Sequence, residues 1–87
     1  MHFVYIVRCS DGSLYTGWTT RLLERIRLHN EGKGAKYTRS WWPVQLVYFE
    51  ILESRPAALR REAAIKKLPR QKKETLVQDA WKTGTWC

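Results

Sequence analysis

Two tyrosines ten residues apart, Tyr5 and Tyr15, lie near the start of the chain in runs of β-branched and aromatic residues. Arg25 and His29 follow, one helical turn apart, and a lone carboxylate, Glu62, stands inside a basic segment. These are groups that handle a phosphoryl centre. A guanidinium grips two phosphate oxygens with its planar fork and keeps its charge. A single carboxylate suits Mg²⁺ or Mn²⁺, which keeps several waters and borrows phosphate oxygens. Each group also has an ordinary reading. On a helix, Glu62 falls on or beside the apolar stripe, with Ala58 and Leu59 before it and Ile65 and Lys66 after it. A carboxylate there needs a cation, so Glu62 is either an ion-pair partner of a neighbouring Arg or a metal ligand. Arg25 and His29 share a face with Arg21, which is either a solvated basic face or a phosphate clamp. A strand tyrosine is usually packing. Two on one face, beside Gly17, favour chemistry, because glycine inside a strand often marks close approach by a ligand or backbone.

Whether the tyrosines share a face depends on one turn. Phe3 to Cys9 and Ser13 to Trp18 read as strands joined by Ser10-Asp11-Gly12. A two-residue loop would send Tyr5 and Tyr15 to opposite faces. A three-residue loop with Gly12 in the left-handed conformation pairs Cys9 with Ser13, Tyr5 with Gly17 and Val7 with Tyr15. The tyrosines then become diagonal neighbours roughly 7 Å apart. Glycine suits the third loop position, so the second register is expected. Thr19-Thr20 can cap a helix over Arg21 to Asn30 with an apolar stripe of Leu22, Leu23 and Ile26, stopped by Gly32. Gln45 to Leu52 reads as a third strand. Ser54 caps a second helix, with Pro56 in its first turn, to about Leu68. Pro69 breaks it and can begin a third helix reaching roughly Lys82. The order is β-β-α-β-α-α. The strands carry apolar residues on both faces, so helices are expected on both sides of the sheet.

The 87 residues fit one domain, 1–87, with a core over about 3–76. Sixteen Lys and Arg against eight Asp and Glu give a net charge of +8, which favours an anionic partner, most simply nucleic acid. Eight of those cations lie between Arg55 and Lys73, with Glu62 the only acid among them. Arg60, Arg61, Lys66 and Lys67 from this stretch, and Arg21, are candidate DNA contacts. In the segment 33–43, Lys33, Lys36 and Arg39 alternate with Tyr37, Trp41 and Trp42. Such a segment either binds phosphates and stacks on unpaired bases, or covers the sheet edge with its tryptophans. Cys9 and Cys87 are the only cysteines and no disulfide framework is expected. There is no glycine-rich phosphate loop and no membrane-length apolar run. The chain opens straight into a strand pattern, so no signal peptide and a cytoplasmic, nucleoid-associated protein are expected.

Val4-Tyr5-Ile6 followed by Tyr15-Thr16-Gly17 resembles the two-part signature of the GIY-YIG nuclease family. The first part reads Phe-Val-Tyr, without its Gly, and Thr16 replaces the middle aliphatic of the second. Arg25 stands where the family places its arginine, eight residues after Gly17. His29-Asn30 is similar to a His-Asn pair of many members, and Glu62 matches the metal-binding glutamate. No equivalent of a late Asn is evident. GKGAKYTR, PVQLVY and LRREAAIKKL resemble the small stand-alone bacterial branch. The resemblance implies an α/β (α+β) fold, a three-stranded antiparallel sheet flanked by helices. It also implies a DNA endonuclease using one Mg²⁺ or Mn²⁺ on Glu62, with Tyr5, Tyr15, Arg25 and His29 around the phosphate and Gly17 admitting the backbone of the DNA. With no separate recognition domain evident, preference for DNA structure rather than sequence is expected. Two other readings stay open. One is a nucleic-acid binder without catalysis. The other is a subunit that works with a protein partner, for which Trp81 and Trp86 are the candidate contacts.

Overall fold

The hairpin closes through the three-residue loop. Gly12 adopts φ +86°, its N–H donates to the Cys9 carbonyl at 2.9 Å, and the Cys9 N–H donates to the Ser13 carbonyl at 2.8 Å. In a computed structural model that describes residues 1–32 and 43–82, the last three by backbone alone, this turn joins β1 (His2–Arg8) to β2 (Leu14–Thr19). The register pairs Tyr5 with Gly17 and Val7 with Tyr15, as the loop length requires. After α1 (Leu22–Asn30) the chain returns as β3 (Gln45–Leu52), then forms α2 (Arg55–Lys66) and α3 (Arg70–Lys82). Both neighbours of β1 run antiparallel to it, and the order across the sheet is β2-β1-β3.

The central strand is buried on both faces, with Val4, Tyr5, Ile6 and Val7 all closed to solvent. Val4 and Ile6 pack with Val47, Ala58, Ile65 and Val77 beneath α2 and α3. Tyr5 and Val7 pack with Cys9, Leu22 and Val44 beneath α1. The sheet is therefore covered on both sides, as its apolar alternation predicts. A bulge skips Val47 between the pairs Ile6–Tyr48 and Val7–Leu46, so Val47 and Tyr48 both meet the core under α2 and α3.

The helix ends differ in how well the sequence marks them. Ser54 Oγ accepts from the Ala57 N–H at 3.3 Å and Pro follows in the first turn, so α2 starts where expected. Gly32 adopts φ +74° after α1 and its N–H donates to the His29 carbonyl at 3.1 Å. The start of α1 departs from expectation. Arg21 occupies the cap position without a side-chain cap, and Thr19 Oγ1 accepts only from the Arg21 N–H at 3.1 Å. Leu23 is also not part of the buried stripe: it is 81% exposed. The face toward the sheet carries Leu22, Ile26 and His29, which recur at the four- and three-residue steps of a helix.

Cys9 is buried as a free thiol, and its burial raises its pKa. Among the described residues no helix is long and apolar enough to cross a membrane.

Candidate active site

Tyr5 stands at the middle of the sheet, on the face covered by α1. Its ring passes over its cross-strand partner Gly17. A Cβ at residue 17 would lie 2.6 Å from Tyr5 Oη and 2.8 Å from Cζ. The space beside Gly17 is thus taken by the tyrosine. This corrects the expectation that glycine leaves room there for a DNA backbone: it leaves room for Tyr5.

His29, in the last turn of α1, closes over the same place. It is fully buried, and its Nε2 lies 3.0 Å from Tyr5 Oη. Its ring meets both tyrosines edge-on, with centroids 5.9 Å from Tyr5 and 5.7 Å from Tyr15. Burial, assisted by the positive charge of Arg25, lowers its pKa to about 4. His29 is therefore a neutral imidazole at neutral pH, not a third cation beside Arg21 and Arg25. The expected basic row instead runs from solvent inward. Arg21 is exposed and pairs with Glu24 at 3.0 Å, Arg25 is half-buried, and His29 is enclosed.

The positive charge of Arg25 stands near enough to Tyr5 to favour its ionised form. Burial raises the Tyr5 pKa more than Arg25 lowers it, and the charges of Tyr15 and Glu62 raise it further. Tyr5 is a neutral phenol here. The nearby cation does not depress its pKa as general-base chemistry would require.

Glu62 comes from α2, on the opposite side of the sheet, yet its charge reaches Tyr5. Its side chain is only 17% exposed, and among the described residues its ion-pair partner is Lys66 at 3.5 Å, not an arginine. The Lys66 ammonium in turn lies 6.0 Å from the centre of the Tyr15 ring. Two phenols, an imidazole and a guanidinium from β1, β2 and α1 thus form one neighbourhood, and the Glu62 carboxylate of α2 borders it through Lys66.

Such a constellation offers a cation and hydroxyl groups to an oxyanion. A family model described as the GIY-YIG catalytic domain matches residues 1–75. The chain belongs to the GIY-YIG family. It is 58% identical over 78 residues to a UPF0213 protein of Haloquadratum walsbyi, covering 90% of this chain and 88% of that one. A UPF0213 protein of Clostridium perfringens is 56% identical over 77 residues, 88% of this chain and 83% of the relative. Two proteins solved by solution NMR share the fold. The UPF0213 protein of Bacillus halodurans gives a TM-score of 0.58 at 51% identity, over 88% of this chain and 82% of its own. A protein of E. faecalis gives 0.60 at 44% identity, over 90% and 83%.

Two clefts flank the tyrosines of this GIY-YIG domain along β2. One, of about 260 Å³, is lined by Thr19, Thr20, Arg21, Glu24, Arg25 and Leu28. The other, of about 290 Å³, is lined by Leu14, Tyr15, Thr16, Lys66 and Lys73. Arg60 and Lys67 are exposed on α2 and its C-cap. Arg61 is placed differently from expectation. Its guanidinium makes contacts of 2.8, 3.0 and 2.8 Å with the Glu50 carboxylate, to which the Tyr48 hydroxyl also donates. Its fork is occupied, so it stitches α2 to β3 rather than waiting for phosphate. Lys33, Lys36, Tyr37 and Arg39 lie outside the described residues, as do the side chain of Trp81 and residue 86.

Two residues quoted in the motifs shape the site in ways the sequence did not assign. Asn30 Oδ1 accepts from the Val44 N–H at 2.5 Å and so ties the end of α1 to the start of β3. Thr16 is buried, and its hydroxyl has no hydrogen-bond partner among the described residues. Its position between Tyr15 and Gly17, alternating into the sheet, was the available signal.

Proposed function

We propose that the protein is a metal-dependent endonuclease that hydrolyses phosphodiester bonds in DNA. Its preference is for DNA structure over sequence, in repair or recombination at the nucleoid. The observation that carries this reading is that Tyr5 Oη meets His29 Nε2 at 3.0 Å while the charges of Arg25 and Glu62 both act on the same phenol.

The residues suit a single divalent cation. Glu62 is a largely buried carboxylate whose counter-ion among the described residues is Lys66 at 3.5 Å, at the outer limit of an ion pair. Among the described residues no cluster of three His, Cys, Asp or Glu exists, so an all-protein cage is not the fit. A lone carboxylate beside a phosphate is the arrangement Mg²⁺ accepts. Bound by Glu62, Mg²⁺ or Mn²⁺ would supply Lewis-acid charge to a non-bridging oxygen and the leaving oxygen.

The chain's own groups do the rest. Arg25 stabilises the charge that builds on the pentacovalent phosphorus, where a preorganised donor is worth most. Tyr15 presents its hydroxyl to the attacking water and the phosphate, and Tyr5, enclosed behind it, orients the surrounding groups. His29, neutral and enclosed, fixes the Tyr5 hydroxyl from behind. Arg21, Arg60, Lys66 and Lys67 hold flanking phosphates without reading bases, and Lys33, Lys36, Tyr37 and Arg39 are proposed to extend this surface.

The deciding assay incubates purified protein with branched, single-stranded and duplex DNA in Mg²⁺, Mn²⁺ or EDTA. Cleavage in metal alone is expected. Arg25→Ala and Glu62→Gln should each lose at least a hundredfold in rate, a typical figure for removing one electrostatic stabiliser, while gel-shift affinity largely persists. Wild type that shifts DNA but nicks no substrate in any metal identifies a binder instead.

A further inference from the structure

We propose that the cleft walled by Leu14, Tyr15, Thr16, Lys66 and Lys73 is a seat for one backbone phosphate of the nucleic-acid strand, beside the bond that is cut. The inference rests on the nuclease reading and adds to it a particular site.

Two ammonium groups arrive there from different helices, Lys66 from the end of α2 and Lys73 from the first turns of α3. Like charges gathered in one cleft repel unless an anion joins them. Neither nearby carboxylate is within ion-pair distance of both lysines. Glu74, next to Lys73 in the chain, is held by Arg8 at 2.7 and 3.0 Å and by Arg70 at 3.5 Å. Glu62 lies 3.5 Å from Lys66. Lys73 is half-buried and, among the described residues, meets no carboxylate within ion-pair distance. On the strand wall, the Thr16 hydroxyl is buried without an acceptor among the described residues. A cleft with two cations and an unmatched hydroxyl fits a multi-oxygen anion, and phosphate presents enough oxygens for donors on three sides.

The position gives the anion its identity. β2 is an edge strand, and the clefts lie at its two ends. Tyr15 belongs to one cleft and Arg25 to the other, so the tyrosine cluster sits between them. From Tyr15 to Thr19 is about 13 Å along a strand. A polyanion laid along β2 would run from the lysines, past the phenols, to the arginines.

Fluorescence anisotropy with a labelled single-stranded DNA, over a series of salt concentrations, tests this. Lys73→Gln is expected to weaken binding and to reduce the salt slope by about 0.7, the loss of one phosphate contact. Lys73→Arg should keep both, and the charge-matched Arg27→Gln should leave the slope at the wild-type value. Oligonucleotides carrying one neutral methylphosphonate linkage at successive positions supply the second readout. Wild type should show a penalty at one linkage that vanishes in Lys73→Gln. A wild-type slope in Lys73→Gln, or an identical penalty profile in both proteins, overturns the subsite. These are binding measurements, so failure to nick DNA would sink the nuclease reading and leave this result standing. No measurable DNA binding by the wild type overturns both.

Discussion

A methyl group at residue 17 would occupy the volume of the Tyr5 phenol, and this fixes what Gly17 does. The ring cannot simply swing aside, because His29 holds its hydroxyl at 3.0 Å in a fully buried place. Gly17→Ala should therefore displace Tyr5, cost about 1–3 kcal/mol in unfolding free energy, and remove cleavage together with the Tyr5–His29 contact. Chemical denaturation and loss of the Tyr5 hydroxyl coupling to His29 in NMR spectra check it; an alanine variant with wild-type stability would contradict the packing. Tyr5→Phe makes the complementary point. It keeps the ring but leaves the buried His29 Nε2 without that partner, a loss of about 1–3 kcal/mol, and it should raise the His29 pKa little, since burial is the main cause of the shift. A titration of His29 resonances in the variant reads this directly.

At the scale of elements, α3 is tied to the hairpin by a small set of charged contacts. Arg8 of β1 forks onto Glu74, and Arg70 reaches the Gly12 carbonyl at 2.8 Å and Glu74 at 3.5 Å. Glu74→Gln should cost about 1 kcal/mol, the upper range for a partly exposed pair, and speed amide exchange in α3 more than in β1. Equal acceleration everywhere would mean that the tie is not local. The same elements show what was legible beforehand. Strand pairing followed from one loop, because glycine at the left-handed third position allows one register and a one-residue slip would turn Tyr5 and Tyr15 apart. The second helix was legible from Ser54 and Pro56. The start of α1 was not, since two threonines offered caps and neither took the role. Nor was the burial of His29. A histidine three residues beyond Ile26 reads as polar, and only the tertiary fit of α1 over the tyrosines makes it part of the interior. The reach of the Glu62 charge to Tyr5 depends likewise on how α2 crosses the sheet, which no local pattern specifies. Arg61 went astray for the same reason: its partner Glu50 is eleven residues away on another element.

For the whole molecule, the neutral buried His29 sets the behaviour in acid. Groups around it come from each packed element: Tyr5 from β1, Tyr15 from β2 and Arg25 from α1, with the Glu62 charge from α2 acting on Tyr5. The unfolded chain protonates this histidine near pH 6.5, the folded protein only near 4. Between those values the unfolded state binds more protons, so stability present above pH 6.5 is lost as pH falls toward 4. The gap corresponds to a loss on the order of 3 kcal/mol. A second loss follows at lower pH. Glu50, held by Arg61, and Glu74, held by Arg8, have pKa values below the ordinary 4.5 and lose their ion pairs only when protonated. The molecule also carries a net charge of +8, which grows as carboxylates neutralise and adds self-repulsion. Two acid-sensitive stages should therefore appear in denaturant midpoints measured from pH 7 to 3. In His29→Asn, the stage between pH 6.5 and 4 should vanish while the stage below 4.5 remains. If that variant keeps the wild-type slope above pH 4.5, the imidazole is not the titrating group and its enclosure between the two tyrosines is not what sets acid stability.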